Sequence, residues 1–263
     1  TMVMELVDLN SGAVIARESA VNGQTAYGTD ILSRITYALE DQAHVRDLQK
    51  ATVDTLGQLL EQLTESTGID AARLPIMILS GNTTMIHFLL GLDAWTVFAS
   101  PYAPVVSDPG FFFGKELGLS FAGLVYMLPA ASNYVGGDII SGLLALDIHK
   151  QEETSLFFDI GTNGELVIGN KDWMMAGAGA AGPALEGEVI RTGMRAEPGA
   201  VSGVTIDAEG LHIQTIGDLP PKGICGSGLV DAVAVGLKLG LINKRGRIEG
   251  KNDKLRLCYK AWV

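Results

Sequence analysis

The sequence contains only two cysteines, Cys225 and Cys258, among its 263 residues. Two thiols cannot supply the four ligands of an iron–sulfur cluster, and they exclude a small scaffold held together by many disulfides. The four histidines are scattered, without the spacing of a metal site. No uninterrupted apolar run reaches the roughly 18 residues that a membrane helix requires. These absences predict a cytoplasmic protein that has no membrane partner.

Basic residues are also few, 19 against 30 acidic ones, which gives a formal net charge of −11. This balance excludes a generic binder of nucleic acids or anionic membranes, because both ligands are polyanions. The charged fraction is only 19%, whereas 47% of the residues are hydrophobic. The composition is therefore that of a folded protein with a substantial core, built as one large domain or two small ones.

Glycine is the abundant residue, with 33 copies, or about one residue in eight, against an average near 7%. The glycines lie between apolar runs, a pattern typical of tight turns and close backbone approaches in ligand-binding α/β proteins. Apolar periodicity predicts alternating hairpins and helices, whereas residues 93–123 show no clear period. The predicted strands span 2–9, 14–21, 74–79, 124–128, 155–160, 165–168, 173–176, 204–206 and 211–216, and the predicted helices span 27–39, 53–67, 83–90, 136–146 and 225–239.

The sharpest local pattern is Phe-Phe-Asp-Ile-Gly-Thr-Asn-Gly-Glu at residues 157–165. An apolar strand ends at Asp159, a turn follows, and a strand returns. Gly161 and Gly164 permit a positive φ, which would turn backbone N–H groups toward a phosphate, and a carboxylate at Asp159 can hold Mg²⁺. An ordinary hairpin with a Thr-Asn-Gly turn explains the same residues, so both interpretations stand.

Two glycines precede Asp138 at the start of a predicted helix. Gly136 and Gly137 permit close approach of an anion to the helix N-terminus, whose dipole favours negative charge. Asp138 in the first turn can orient a water molecule or a metal. The alternative is that the dipole alone favours the aspartate and that the small residues serve helix packing.

Two further segments, 177–187 and 223–228, are rich in small residues. The first can lie against a planar ligand with Glu186 on a ribose hydroxyl, or it can be a flexible loop with a solvated glutamate. The second precedes an apolar helix like an anion cradle, but it lacks the Gly-Lys-Ser/Thr of a Walker A motif. We expect its Cys225 to be a small buried thiol and His87 to be a packing or capping residue.

Together these loops resemble those of the superfamily of acetate and sugar kinases, chaperones and actin. Its members bind a nucleotide between two halves of ribonuclease-H-like topology. Residues 159–165 match the second phosphate hairpin of that superfamily, and residues 136–142 match its first connecting segment. The resemblance implies an α/β fold with a first half at 1–135 and a second half at 136–263, truncated at both ends.

A closer resemblance covers almost the whole chain. Five segments, in order, are similar to the C-terminal ATPase region of the reductive activators of corrinoid proteins: 22–35, 81–85, 100–104, 159–165 and 223–231. The resemblance implies that ATP hydrolysis, with Mg²⁺ and ADP as product, drives one-electron reduction of Co(II) to Co(I) in a corrinoid methyl-carrier protein. It also implies a homodimer that docks on that carrier, and a [2Fe-2S] cluster in a separate N-terminal domain.

The resemblance assigns roles to individual residues. Asp159 would hold Mg²⁺ and Asp138 would position metal or water, which makes these two the expected catalytic residues. The remaining expected contacts to the nucleotide are Gly136, Gly137, Gly161, Thr162, Asn163, Gly182, Glu186, Gly226 and Ser227.

This sequence also departs from the family pattern. The first phosphate hairpin, Asp-Ile-Gly-Thr-Thr, would precede Thr1 except for its last threonine, and the adenosine-side glycine motif would follow residue 263. We expect the resemblance to end near Arg245. Two other functions remain open: a small-molecule phosphotransferase of the same superfamily, and a non-enzymatic dimerisation and docking module.

Overall fold

Alternating strands and helices form the chain, whose computed structural model describes residues 1–161, 163–180 and 190–249. The strands are β1 Met2–Val7, β2 Val14–Ala20, β3 Ile76–Leu79, β4 Gly110–Phe113, β5 Leu124–Met127, β6 Ser155–Ile160, β7 Asn163–Gly169, β8 Met174–Ala180, β9 Ala200–Asp207, β10 Gly210–Thr215 and β11 Gly223–Ile224. The helices are α1 Ile31–Glu40, α2 Gln42–Thr67, α3 Thr83–Leu89, α4 Trp95–Phe98, α5 Gly137–Ala145 and α6 Gly226–Lys238.

The chain divides into two compact units. The first contains residues 1–157 and 167–177, and the second contains residues 158–166 and the chain from Ala178 onward. Strands β6, β7 and β8 form a three-stranded sheet in that order. The boundary that the sequence placed after residue 135 stays a prediction. None of the described helices has the length and apolar character needed to cross a membrane.

Helix α2 organises the first unit because its apolar residues recur every three or four positions and form one face. The buried positions of this face include Val45, Leu48, Leu56, Leu59 and Leu63, and they pack toward β1, β2 and α3. The helix begins at Gln42, eleven residues before the predicted start, where the Asp41 side chain accepts a hydrogen bond from the backbone of Ala43. It ends at Gly68, whose φ of +69° is left-handed, as the sequence indicated.

The start of α1 is also set by a cap. The sequence predicted a helix from Tyr27, but α1 begins at Ile31. The Asp30 carboxylate accepts a hydrogen bond from the backbone N–H of Ser33, while the Ser33 hydroxyl accepts one from the backbone N–H of Asp30. This reciprocal capping box defines the first helical residue.

Strands β3 and β5 pair in parallel, with Ile76 opposite Leu124 and Leu79 opposite Met127. The parallel strand predicted at 74–79 is therefore confirmed, and its partner is the predicted strand at 124–128. Strand β4, which lies in the stretch without clear periodicity, pairs antiparallel with β5. It escaped prediction because its four residues, Gly-Phe-Phe-Phe, show no apolar–polar alternation.

His87 is a fully buried polar residue of α3. Its Nδ1 lies 2.7 Å from the carbonyl oxygen of Thr83, and its Nε2 lies 3.0 Å from the backbone nitrogen of Val105. A carbonyl only accepts and an amide N–H only donates, so Nδ1 carries the hydrogen and Nε2 accepts. Burial lowers the pKa of His87. The predicted packing and capping role is confirmed, since this neutral imidazole joins α3 to the segment at residue 105.

In the second unit, β9 and β10 form an antiparallel hairpin and β11 pairs in parallel with β9. Helix α6 packs on β9 around Val201, Val204, Ile224 and Ala232. A Cβ atom on Gly228, the third residue of α6, would lie 2.2 Å from the carbonyl oxygen of Val201. Only glycine allows α6 to approach β9 this closely.

Replacing Gly228 by alanine should lower the free energy of unfolding by about 1–3 kcal/mol, because the new methyl group meets backbone that cannot rotate away. Gly57 is the matched control, since it lies inside α2 with no atom within 4 Å of the Cβ that alanine would add. Gly57→Ala should raise stability by about 0.5–1 kcal/mol. Urea unfolding followed by circular dichroism measures both variants, and equal effects would contradict the packing described for Gly228.

The stability of the chain should fall on acidification partly because of His87. In the unfolded chain this imidazole takes up a proton near its ordinary pKa of about 6.5, whereas burial holds its folded pKa lower. The unfolded state then binds more protons, so its contribution is fully present above about pH 7 and declines toward the folded pKa, by at most about 1.4 kcal/mol per pH unit. His87→Gln should flatten this slope in urea titrations at pH 8, 7, 6 and 5. Parallel curves for the two proteins would rule out the titration assigned to His87.

Candidate functional site

The two parallel strands β3 and β5 bring two loops of the first unit together. Their carboxyl ends lie at the same edge of the sheet, so the loop after β3 meets the loop that leads into α5. A Cβ atom on Gly136 would lie 2.6 Å from the Cα of Asn82 and 2.8 Å from the carbonyl oxygen of Gly81. One on Gly137 would lie 2.8 Å from the carbonyl oxygen of Leu128. The two glycines are therefore required by backbone packing within the unit, independently of any ligand.

Asp138 is half-buried in the first turn of α5. Its backbone N–H donates to the carbonyl oxygen of Gly81 at 3.3 Å, and its Oδ1 accepts from the N–H of Ile139 at 3.0 Å. The carboxylate thus sits at the positive end of the helix dipole, where negative charge is favoured. Both alternatives that the sequence left open for this segment are compatible with this placement.

The β6–β7 hairpin carries the second group of predicted residues. Asp159 is exposed near the end of β6. The N–H of Gly161 donates to the carbonyl oxygen of Asn163 at 2.8 Å and so closes the turn. Thr162 lies outside the described residues.

The positive φ that the two glycines permit is not used in this hairpin. Neither Gly161 nor Gly164 has a left-handed backbone. A Cβ on Gly164 would lie 3.0 Å from the ring of Phe158, so packing under that ring accounts for this glycine. The N–H of Gly161 is also engaged within the turn, because it donates to the carbonyl oxygen of Asn163.

The glycine-rich loop 223–228 is held by β9. The Ser227 hydroxyl donates to the carbonyl oxygen of Ser202 at 2.9 Å, and Gly226 is the half-buried first residue of α6. The Cys225 thiol is buried and lies 3.3 Å from the carbonyl oxygen of Val201, which confirms the predicted buried thiol. Two other predicted contacts, Gly182 and Glu186, lie outside the described residues.

The predicted residues thus fall into three described groups. Gly136, Gly137 and Asp138 meet the loop after β3; Asp159, Gly161 and Asn163 share one turn; Gly226 and Ser227 share the first turn of α6. Within residues 1–161, 163–180 and 190–249, no group of three or more histidines, cysteines, aspartates or glutamates is arranged to hold a metal.

Two serines at the first group were not assigned a role from the sequence. The Ser80 hydroxyl donates to the carbonyl oxygen of Gly137 at 3.0 Å and lies 2.8 Å from the Ser141 hydroxyl. Ser141 in turn donates to the carbonyl oxygen of Asp138 at 2.7 Å. The spacing of Ser141 three residues after Asp138 was a usable signal, because positions i and i+3 are neighbours on a helix. Ser80 had none, since its contact depends on the pairing of β3 with β5.

Two protein-family models match the chain. The RACo middle region matches residues 1–151, and the C-terminal domain of RACo, the ASKHA domain, matches residues 153–261. The second match extends well past Arg245, so the expectation that the resemblance ends there is wrong.

Curated relatives give the same result. The chain is 34% identical over 248 residues to the corrinoid activation enzyme RamQ of Eubacterium limosum, covering 94% of this chain and 42% of the relative. It is 33% identical over 151 residues to a [Co(II) methylated amine-specific corrinoid protein] reductase of Methanosarcina barkeri, covering 49% of this chain and 28% of that protein.

A solved structure is also similar. The reductive activator for corrinoid, iron-sulfur protein is 41% identical with a TM-score of 0.80, and the match covers 94% of this chain and 40% of that structure. The α/β fold of ribonuclease-H-like halves expected from the loops is confirmed by this match and by the ASKHA domain. The chain spans about two fifths of the length of RamQ and of the solved activator.

Proposed function

We propose a function for this chain from one premise: it belongs to the RACo family of reductive activators of corrinoid proteins, of which it spans the middle region and the C-terminal ASKHA domain. We infer that it binds and hydrolyses ATP within such an activator. That hydrolysis supports one-electron reduction of Co(II) to Co(I) in a corrinoid methyl-carrier protein.

The match of the chain, from residue 1 to residue 261, to two consecutive regions of one family supports this proposal most strongly. A single glycine loop is compatible with many folds, and each loop here also has a packing explanation. Two adjacent family regions in order, with 94% of the chain superposed on a solved activator, are far more specific.

The β6–β7 hairpin supplies the groups that we assign to the phosphates and the metal. Mg²⁺ in nucleotide sites is usually held by one or two carboxylates, with phosphate oxygens and water completing its shell. One exposed carboxylate, Asp159, fits this need although the described residues contain no larger ligand cluster. Bound Mg²⁺ neutralises charge that develops on the phosphates. Asn163 and Thr162 are assigned to phosphate oxygens through their side chains.

The start of α5 supplies the second assigned group. Gly136 and Gly137 keep side chains away from the helix N-terminus, where the dipole favours a phosphate. Asp138 is assigned to orient water or metal, as a carboxylate whose position is fixed by the N–H of Ile139. Gly161 is assigned to the phosphates with Thr162 and Asn163, and the assigned contacts to the rest of the nucleotide remain Gly182, Glu186, Gly226 and Ser227.

The proposed partners follow from the same family. The corrinoid methyl carrier is the electron acceptor, and the electron comes from a [2Fe-2S] cluster in a separate domain, because this sequence has only two cysteines. We propose that the protein acts as a cytoplasmic homodimer, without nucleic acid or membrane partners.

Asp159→Asn should lower ATP hydrolysis by the full-length protein about 100-fold or more, since it removes the charge that holds Mg²⁺ and aligned electrostatic groups have effects of this size. Asp172→Asn is the matched control, because Asp172 is also an exposed aspartate in a turn between strands. Phosphate release with MgATP measures turnover, and the visible spectrum of the corrinoid carrier reports formation of Co(I).

Hydrolysis by Asp159→Asn at the rate of the control would exclude the assigned role. Turnover that requires an added sugar or carboxylate would instead identify a phosphotransferase.

A further inference from the structure

Two serine hydroxyls from different elements meet at the start of α5. Ser80 follows β3, and its Oγ lies 3.0 Å from the carbonyl oxygen of Gly137 and 2.8 Å from the Oγ of Ser141. The Oγ of Ser141 lies 2.7 Å from the carbonyl oxygen of Asp138. The backbone N–H of Asp138 donates to the carbonyl oxygen of Gly81, the neighbour of Ser80. The segment 80–81 thus contacts the first turn of α5 at two residues, Gly137 and Asp138.

We propose that Ser80, with Ser141, is a positioning residue for Asp138. This inference rests on the proposed function, in which Asp138 orients water or metal at the nucleotide. Ser80 itself does not touch the nucleotide: it fixes the first turn of α5 against the loop after β3, and thereby the direction in which the Asp138 carboxylate points.

The hydrogen bonds of the Ser80 and Ser141 hydroxyls to the first turn of α5 form a clamp. This clamp is needed because two glycines stand at the start of α5. Gly136 and Gly137 have no side chain to lock the helix start, and glycine has the largest conformational freedom of any residue. Close packing against Asn82 and Leu128 fixes their distance from the sheet. The rotation of the turn about the helix axis is held by the buried side chain of Ile139 and by hydrogen bonds. Hydrogen bonds from Ser80 and Gly81 reach this turn from the loop after β3.

The two hydroxyls act as a pair. Each has one hydrogen, but together they make three contacts: to Gly137, to Asp138 and to one another. Two of these three contacts are therefore hydrogen bonds at any moment, and removal of either hydroxyl changes the partners to which the other can donate. The pair predicts non-additive effects in a double-mutant cycle.

Exposure distinguishes positioning from simple stabilisation. Ser80 is exposed, so water can replace its hydroxyl when it is removed, and global stability should change little. The position of Asp138 would still be loosened, because a water molecule, unlike the Ser80 side chain, is not covalently attached to the segment after β3. A fall in turnover without a fall in stability is then the expected signature.

The test compares Ser80→Ala, Ser80→Thr, Ser141→Ala and the Ser80→Ala/Ser141→Ala double variant in the full-length protein. Ser80→Ala should lower kcat for MgATP about five- to tenfold, the size of one hydrogen bond, with KM and the urea midpoint unchanged. Ser80→Thr should restore kcat to within twofold, and the double variant should be no slower than the slower single variant. Ser19→Ala is the matched control, an exposed serine on β2, and should behave as wild type.

A second readout does not depend on activity. Amide hydrogen exchange of a peptide covering residues 136–142 should be faster in Ser80→Ala and unchanged in Ser19→Ala, since the turn loses its anchor. Unchanged exchange would overturn the clamp whatever the turnover is.

Asp138→Asn separates this inference from the proposed function. If Asp138→Asn lowers hydrolysis while Ser80→Ala does not, the positioning role is wrong and the proposed function stands. If neither variant changes hydrolysis but exchange is faster in Ser80→Ala, the clamp exists and the role proposed for Asp138 is wrong. If the urea midpoint falls together with kcat and Ser80→Thr restores neither, Ser80 has only a structural role and the positioning role is wrong.

Discussion

The parallel pairing of β3 with β5 is the constraint on which the candidate site in the first unit depends. Parallel strands end at the same edge of a sheet, so the loop after β3 and the loop before α5 must share one small space. A Cβ atom on Gly136 would lie only 2.6 Å from the Cα of Asn82 for that reason. Any side chain larger than hydrogen would separate the loops and move Asp138 away from Gly81.

The second unit uses the same arrangement with different residues. Strand β11 pairs in parallel with β9, a short glycine-rich loop follows, and α6 begins at once. Here Gly228 approaches the Val201 carbonyl, as Gly137 approaches that of Leu128 in the first unit. In both units the glycines bring a helix N-terminus close to strand backbone. Packing and the proposed ligand binding are thus not competing explanations, because the same absence of a side chain suits both.

Much of the fold could be predicted from apolar periodicity, and the errors have local physical causes. Nearly every predicted element exists, including the parallel strand at 76–79 and the Gly68 stop of α2. The start of α1 was missed because Asp30 and Ser33 form a capping box. Strand β4 was missed because pairing with β5, rather than alternation, defines it. Such pairings join residues far apart in sequence, and no local pattern contains them.

The candidate site shows the same difference between residues in local sequence patterns and residues brought together by the sheet. Asp138 and Asp159 could be proposed from the sequence because each stands in a short pattern, an aspartate beside glycines at the end of a strand or the start of a helix. The backbone of the hairpin could not be predicted, because the sequence left open whether Gly161 turns its N–H toward a ligand, whereas in the structure that N–H closes the turn with Asn163. Ser80 stands in no such short pattern, because it becomes a neighbour of Ser141 only through the pairing of β3 with β5. The residues proposed to touch a ligand therefore leave a signal in the local sequence, whereas the residue proposed to position one of them is visible only once the strands have been paired.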